Sequence, residues 1–169
     1  MQLLLVRHAI AVDRSTAIHP DDDYQRPLTS KGRQRMREIA VYLNKLVPQI
    51  DLLATSPLLR TVQTAEILAQ SFGNITPTKA SLLSPGKGSD EIKTWLTSLA
   101  PTDESTYMLV GHEPDLSQLV GWLSVGVPKS VITLKKGASC LLRCKTPLEA
   151  GTCMLQWLLS YRQINLLTN

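Results

Sequence analysis

The chain has 169 residues, of which 43% are hydrophobic and 19% are charged. This length suits one domain, residues 1–169, with a single sizeable core, and the composition is ordinary for a soluble globular protein. The formal net charge of +4 is modest, does not demand nucleic acid, and leads us to expect no nucleic-acid partner.

The first predicted element is a strand over residues 2–7, since the aliphatic run at residues 3–6 is too short for anything else. This strand runs into Arg7 and His8, a cation beside a titratable imidazole. Ligands of open α/β sheets bind just outside the carboxyl ends of the strands. The pair therefore lies where a site would be built.

Location is predicted from the apolar segments and the cysteines. Arg7 and His8 interrupt the apolar start, no basic region precedes it, and no run is long enough to span a membrane. We therefore expect a cytoplasmic protein that needs no membrane.

The three cysteines, Cys140, Cys144 and Cys153, match no common zinc spacing and are expected to be buried thiols rather than a disulfide framework.

A polar loop and a helix follow the first strand. The acidic run at residues 21–23 is predicted to be a solvated loop. Thr29 is a good N-cap for a helix that ends near Leu46. Four basic residues cluster in this helix, and they form either a solvated face, which we favour, or a surface for an acidic partner. They are Lys31, Arg33, Arg35 and Arg37.

The remaining elements alternate between strands and helices. Strands are predicted at 51–55, 75–79 and 107–111, and helices from Ser56 to Gly73, from Ser89, and from Pro114 to about Leu123. Residues 138–145 and 152–160 are predicted to form an antiparallel pair. This order indicates an α/β fold with a mostly parallel sheet and an antiparallel C-terminal edge.

Polar residues at three strand ends converge if these strands are parallel neighbours. The first strand ends at Arg7 and His8, the second is followed by Arg60, and the third is followed by His112. Packing gives no reason to gather two cations and two imidazoles, whereas an anion between them does. Arginine binds phosphate oxygens in bidentate fashion, and a helix N-terminus adds its positive end.

Four segments carry a more specific signal. They are Leu5-Val6-Arg7-His8-Ala9, Arg26-Pro27-Leu28-Thr29-Ser30-Lys31-Gly32, Ser56-Pro57-Leu58-Leu59-Arg60-Thr61-Val62-Gln63-Thr64-Ala65 and Val110-Gly111-His112-Glu113-Pro114. In order and spacing they resemble the histidine phosphatase superfamily, and most closely its SixA-like phosphohistidine phosphatases. This resemblance implies a phosphoglycerate mutase-like fold, a three-layer αβα sandwich.

The resemblance also implies roles for individual residues. His8 matches the nucleophile that becomes phosphohistidine, Arg7 and Arg60 match the arginines that bind the phosphate, and His112 matches the second pocket histidine. Arg26 is either a further phosphate contact or an anchor of its loop. Glu113 is either a proton donor or a cap before Pro114. No cofactor and no metal are expected, because the arginines supply the positive charge.

Residues 80–86 contain no carboxylate, although phosphoglycerate mutase-like relatives carry a general acid after the third strand region. An alkoxide leaving group needs that proton, whereas imidazole leaves phosphohistidine without a strong acid. We therefore predict hydrolysis of phosphohistidine on a protein, such as a histidine-containing phosphotransfer domain, in an open, shallow pocket. The alternatives are a small-molecule phosphomonoesterase or mutase, and a non-catalytic phosphate-binding module. The sequence gives no argument for an oligomeric state.

Overall fold

The computed structural model describes residues 1–168; Asn169, the last residue of the predicted domain, lies outside the described residues. The strands within 1–168 are β1 (Gln2–Arg7), β2 (Leu52–Thr55), β3 (Thr78–Lys79), β4 (Thr106–Gly111), β5 (Ser139–Arg143) and β6 (Met154–Leu159). The helices of the same range are α1 (Ser30–Leu46), α2 (Leu59–Ser71), α3 (Ser89–Ser98), α4 (Asp115–Val125) and α5 (Tyr161–Thr168). Helix α5 was not predicted from the sequence, and β3 is shorter than predicted.

The strands of residues 1–168 form one mixed sheet in the order β3-β2-β4-β1-β5-β6. Strands β3, β2, β4 and β1 are parallel neighbours, while β5 and β6 are antiparallel to β1 and to each other. Since β1, β2 and β4 are adjacent and parallel, their carboxyl ends meet at one edge of the sheet. This arrangement places Arg7, Arg60 and His112 on the same side of the molecule.

Helices cover both faces of the sheet, so the predicted three-layer αβα arrangement is confirmed. On one face, Leu4 and Val6 of β1 pack with Met36 of α1 and Leu68 of α2, and Ile164 of α5 joins the same cluster. On the other face, Leu3 and Leu5 pack against helices α3 and α4. Both faces of β1 are buried, which explains its continuous run of aliphatic residues.

Helix α1 begins as predicted. The Thr29 hydroxyl accepts a hydrogen bond from the Gly32 N–H at 2.9 Å, and the Thr29 N–H donates to the Ile10 carbonyl, also at 2.9 Å. The first turn of α1 is therefore fixed against the segment that follows His8. Gly32 permits this close approach, since a Cβ at this position would collide with the carbonyl oxygen of Ile10.

We expect Gly32→Ala to lower the free energy of unfolding by about 1–3 kcal/mol, because the backbone of Ile10 must move to admit the methyl group. Urea denaturation monitored by circular dichroism measures the change. Gly88→Ala is the matched control, since a Cβ at Gly88 meets no atom within 4 Å. A loss in Gly32→Ala no larger than in Gly88→Ala would contradict the steric argument.

Two predicted helix starts are wrong, that of α2 by two residues and that of α3 by one. Helix α2 begins at Leu59, with Leu58 rather than Ser56 at the N-cap, and Leu58 makes no side-chain capping bond. Helix α3 follows Gly88, so Ser89 is its first residue and not its cap. The Ser56 hydroxyl is instead held beside His112, a tertiary contact that the local pattern of residues does not contain.

The expectation of three thiols is wrong for two of the cysteines. Cys144 and Cys153 form a disulfide, while Cys140 is a buried free thiol. The reason is the antiparallel pairing of β5 with β6, which brings the two Cα atoms to 4.3 Å. Disulfides are rare in cytoplasmic proteins, so this pair does not support the cytoplasmic location expected from the sequence.

Within residues 1–168, none of the helices has the length and apolar character needed to cross a lipid bilayer.

Candidate active site

The two histidines lie side by side at the carboxyl ends of β1 and β4. Arg7 is in register with Gly111, and the His8 N–H donates to the Gly111 carbonyl at 3.1 Å. The residues that follow these strands, His8 and His112, are therefore neighbours, and their ring centroids are 5.3 Å apart. The predicted meeting of the two imidazoles is what the parallel register produces.

The His8 ring is held in one tautomer. Its Nδ1 lies 2.8 Å from the Ala9 carbonyl oxygen, which can only accept, so Nδ1 carries the proton and donates it. The Nε2 atom then keeps a lone pair, as a nucleophile requires. Burial lowers the pKa of His8 to about 3, although the bond to Ala9 opposes this; the charges of Arg60 and Arg7 lower it further.

His112 has the opposite tautomer. A terminal nitrogen of Arg60 lies 3.4 Å from its Nδ1, and a guanidinium can only donate, so Nδ1 accepts. The proton is then on Nε2, which donates to the Ser56 hydroxyl at 2.9 Å. Burial, followed by the charge of Arg60, lowers the pKa of His112 to about 3. Both imidazoles are therefore neutral at neutral pH.

We expect neither His8 nor His112 to become protonated in the ligand-free protein near pH 6.5, the ordinary histidine value, and both to titrate near pH 3. The sign for stability follows: between pH 6.5 and about 3 the unfolded chain binds more protons, so the free energy of unfolding falls as the pH is lowered through this window. Above pH 6.5 these two groups make no contribution to the pH dependence.

NMR of the imidazole nitrogens across this pH range measures the titration directly, and urea denaturation at pH 7 and pH 5 measures the stability. A midpoint near 6.5 for either ring would contradict the prediction, as would a stability that rises as the pH falls from 7 to 5.

Arg60 is held by Asp23. One terminal nitrogen of Arg60 donates to the Asp23 backbone carbonyl at 2.8 Å, and the other donates to the Asp23 carboxylate, also at 2.8 Å. Arg26 donates through its Nε to the second carboxylate oxygen at 2.9 Å. Asp23 thus bridges two arginines, and the expectation of a solvated acidic run is wrong for this residue.

The bridging carboxylate is a poor acid. Burial acts to raise the pKa of Asp23, but the charges of Arg60 and Arg26 and the hydrogen bonds from both outweigh it and hold the pKa below its usual value. Asp23 is therefore ionised at neutral pH. It can orient Arg60, but it has no proton to donate there.

Arg26 anchors the loop that carries Asp23. Besides the bond to Asp23, a terminal nitrogen of Arg26 donates to the Val12 carbonyl at 3.2 Å. The structure thus shows the loop anchor that was one of the two interpretations made from the sequence, while a phosphate contact by Arg26 stays a prediction. Arg26 ties its loop together, and through Asp23 it is connected to Arg60.

Arg7 is held by the loop before β5. One of its terminal nitrogens donates to the Leu134 carbonyl at 2.7 Å. Glu113 fixes the same loop, since one carboxylate oxygen accepts the Leu134 N–H at 2.8 Å and the other accepts the Ser117 hydroxyl at 2.5 Å. Both oxygens of Glu113 are thus engaged in fixing the 134 loop and the start of α4, which favours a structural role over that of a proton donor.

Arg7 and Arg60 each have one guanidinium nitrogen that lacks an acceptor within residues 1–168. Among the residues that the structure describes, the Nε atoms of Arg7 and Arg60 are buried without a hydrogen-bond partner. A buried donor left without an acceptor is costly, and it usually marks the position of a ligand or a water. The arrangement can therefore bind an anion beside His8, with one donor from each guanidinium.

The side chains of the site are buried. Only 5% of His8, 3% of Arg60 and 3% of His112 is exposed. One physical reason is the ion pairing of Asp23 with Arg60 and Arg26, which draws the loop at residues 23–26 onto the site. The exposed fractions describe the side chains and not the mouth of the pocket, so the open, shallow pocket stays a prediction.

Reasoning from the sequence missed Asp23 and Thr64 as contributors, and it missed the bond of Ser56 to His112. Thr64 accepts the Ala9 N–H at 3.1 Å and donates to the Arg60 carbonyl at 2.6 Å, linking the segment after His8 to helix α2. Ser56 and Thr64 lie within the segment that resembles the family, so their place in the motif was the available signal. For Asp23, the only available signal in the sequence was its position three residues before Arg26. Within residues 1–168, no three His, Cys, Asp or Glu side chains are grouped to hold a metal ion.

Comparison with families and curated proteins gives three matches. The model of the histidine phosphatase superfamily (branch 1) matches residues 3–84. An uncharacterized protein of Picosynechococcus sp. is 35% identical over 143 residues, which cover 85% of each chain. The phosphohistidine phosphatase SixA of Escherichia coli is 26% identical over 163 residues, which cover 95% of this chain and 94% of that protein.

A solved structure agrees with these matches. The protein histidine phosphatase SixA complexed with tungstate superposes with a TM-score of 0.80 at 25% identity, covering 98% of this chain and 99% of that one. The predicted fold, an α/β sandwich of the phosphoglycerate mutase-like kind with an antiparallel C-terminal edge, is thereby confirmed.

Proposed function

Because the chain belongs to the histidine phosphatase superfamily, we propose that it is a phosphatase that hydrolyses phosphohistidine on a protein through a covalent phospho-His8 intermediate. The substrate is a phosphorylated protein, such as a histidine-containing phosphotransfer domain. The similarity to the phosphohistidine phosphatase SixA along nearly the whole chain supports this substrate class.

One observation carries the proposal. Among the described residues, Arg7 and Arg60 each have a buried Nε atom without a hydrogen-bond partner, and two neutral imidazoles lie beside these arginines. Donors of this kind suit a phosphoryl group, whose charge is spread over its equatorial oxygens. We assign phosphate binding to Arg7 and Arg60, and to His112 through its Nε2–H, which the phosphate would take over from the Ser56 hydroxyl. Arg26 acts indirectly in this proposal, by holding Asp23 against Arg60.

In the first step, the lone pair on His8 Nε2 attacks phosphorus while the bond from phosphorus to the substrate imidazole nitrogen breaks. The departing imidazole keeps the bonding electron pair and takes a proton from water. Burial keeps His8 neutral, and the Nδ1–H bond to Ala9 keeps its ring oriented for this attack. Arg7 and Arg60 stabilise the charge on the phosphoryl oxygens.

In the second step, a water molecule attacks the phosphorus of phospho-His8, the bond to Nε2 breaks, and inorganic phosphate leaves. The proton of the attacking water passes to the phosphate or the solvent, so His8 regains its lone pair. The two guanidiniums supply positive charge in both steps, and we propose that the reaction needs no metal ion.

The state of the nearby carboxylates favours a phosphoramidate substrate. Asp23 is held ionised by two arginines, and Glu113 uses both oxygens as acceptors for the 134 loop and Ser117. Neither is suited to protonate an alkoxide leaving group. An imidazole leaving group can take its proton from water and needs no acid in the pocket.

One residue favours the second candidate, a small-molecule phosphomonoesterase. The pKa of Asp115, three residues after His112, is raised by burial. One of its oxygens accepts the Gly86 N–H at 3.0 Å, and the other has no hydrogen-bond partner among the residues described. A carboxyl group of this kind could serve as a general acid.

The deciding experiment compares three substrates: a phosphotransfer domain phosphorylated on histidine, free phosphohistidine and p-nitrophenyl phosphate. We expect the phosphoprotein to have the highest kcat/KM, and EDTA to leave the rates unchanged.

We expect Asp115→Asn, with Asp90→Asn as the matched surface control, to leave phosphohistidine hydrolysis intact. Preferential turnover of phosphomonoesters, together with a loss in Asp115→Asn, would establish the second candidate. Phosphate binding without turnover of any substrate would mean a binding module.

A further inference from the structure

A cavity of about 630 Å³ lies at the junction of helices α1 and α5 with the loop before β5. We refer to it as the basic groove, and its lining includes Arg35, Lys135, Lys136, Tyr161, Arg162 and Leu166. Lys135, Lys136 and Arg162 are exposed and Arg35 is half-buried. Four cations thus share one concave surface, and its lining contains no carboxylate among the residues described.

The basic groove adjoins the segment that carries His8. The Gly137 N–H donates to the His8 carbonyl at 3.1 Å, and the Arg7 N–H donates to the Ala138 carbonyl at 2.9 Å. The residues just before this attachment are Lys135 and Lys136. From the other side, Ile10 also lines the groove, two residues after His8. Residues that line the groove are therefore attached to the segment around His8 from two directions.

The side chains that line the basic groove are of the kinds found in protein interfaces. Arg35 stacks on the Tyr161 ring at 4.4 Å, and the Tyr161 hydroxyl donates to Glu38 at 2.7 Å, so the aromatic side chain is fixed in place. Leu166 is 71% exposed and adds an apolar contact. Arginine and tyrosine beside an apolar side chain, with lysines at the margin, are typical of a surface that binds a protein of opposite charge.

We propose that the basic groove docks an acidic surface of the phosphorylated protein and so delivers its phosphohistidine to His8; this inference rests on the proposed function. It also selects, for Arg35, the acidic-partner interpretation over the solvated face. Contacts remote from the phosphoryl group would supply binding energy and orientation that a free phosphoamino acid lacks.

The test uses the charge reversals K135E and R162E combined in one variant. The matched control combines K45E and K145E, which change the net charge equally on exposed lysines away from the groove. Lys145 follows the last residues of β5, and these pair with the first residues of β1. Because His8 follows the other end of β1, Lys145 lies at the edge of the sheet opposite His8. The two probes are an acidic phosphotransfer domain phosphorylated with phosphoramidate, and free phosphohistidine.

We expect the groove variant to lower kcat/KM for the phosphoprotein by at least about tenfold, while changing kcat/KM for free phosphohistidine by less than about twofold. The control variant is expected to resemble the wild type on both probes. Added NaCl is expected to slow the wild type on the phosphoprotein more steeply than it slows the groove variant. This salt dependence of the wild type provides a second measurement that does not depend on how the variant folds.

Three results would overturn docking at this groove. They are an equal loss on both probes, a groove variant no different from the control, and wild-type turnover of the phosphoprotein that does not change with salt. Binding of the groove to anionic vesicles or to RNA, with phosphoprotein turnover unchanged in the variant, would overturn it in favour of those partners. If the wild type hydrolyses p-nitrophenyl phosphate but not the phosphoprotein, the proposed function itself fails.

Discussion

Replacement of His8 by asparagine is expected to lower the rate of phosphohistidine hydrolysis by at least about a thousandfold, because the attacking nitrogen is lost while the surrounding donors remain. Asparagine is chosen because its amide N–H can replace the bond from Nδ1 to the Ala9 carbonyl. The fold is therefore expected to survive the change, as thermal denaturation would measure.

The intermediate gives an independent readout. Wild-type protein mixed with phosphorylated substrate and quenched in alkali is expected to carry a phosphoryl group on the peptide that contains His8, detected by mass spectrometry, and His8→Asn is expected to carry none. His19→Asn is the matched control, since His19 is an exposed histidine of the following loop. Retention of more than a tenth of the activity in His8→Asn would disprove covalent catalysis by this residue.

Replacement of Arg60 by alanine is expected to have the second largest effect, a fall in kcat/KM of about 10²–10³-fold, the usual cost of losing a donor to transition-state charge. The side chain of Arg60 is 4% exposed and pairs with Asp23. Its loss therefore also leaves the Asp23 carboxylate with Arg26 as its remaining ion-pair partner among the residues described. Arg60→Lys keeps the charge but not the planar fork, and we expect it to recover only part of the activity.

Two further measurements separate phosphate binding by Arg60 from a general loss of structure. Calorimetric titration with tungstate is expected to show binding to the wild type and to Arg37→Ala, a surface control in α1, but not to Arg60→Ala. The pKa of His112 is expected to rise in Arg60→Ala, because the charge of Arg60 is, after burial, the next cause of its low value. Unchanged tungstate affinity in Arg60→Ala would contradict the role assigned to Arg60.

Sequence patterns predicted the elements that depend on neighbouring residues. The aliphatic run of β1, the Thr29 cap of α1 and the antiparallel pair β5–β6 are local signals, and all three are present in the structure. The spacing of the motifs also predicted that Arg7, His8, Arg60 and His112 would meet. That inference needed only the parallel order of three strands, because parallel neighbours bring their carboxyl ends to one edge.

The tertiary structure decided the details that set the chemistry. Asp23 and Arg60 are 37 positions apart, and their ion pair closes the loop over the site. His112 and Ser56 are 56 positions apart, and their hydrogen bond sets a tautomer. These contacts depend on how separate elements pack, since side chains distant in sequence become partners only when the fold brings them together. The sequence alone thus determined which residues gather at this edge of the sheet, and tertiary packing determined their charge, orientation and accessibility.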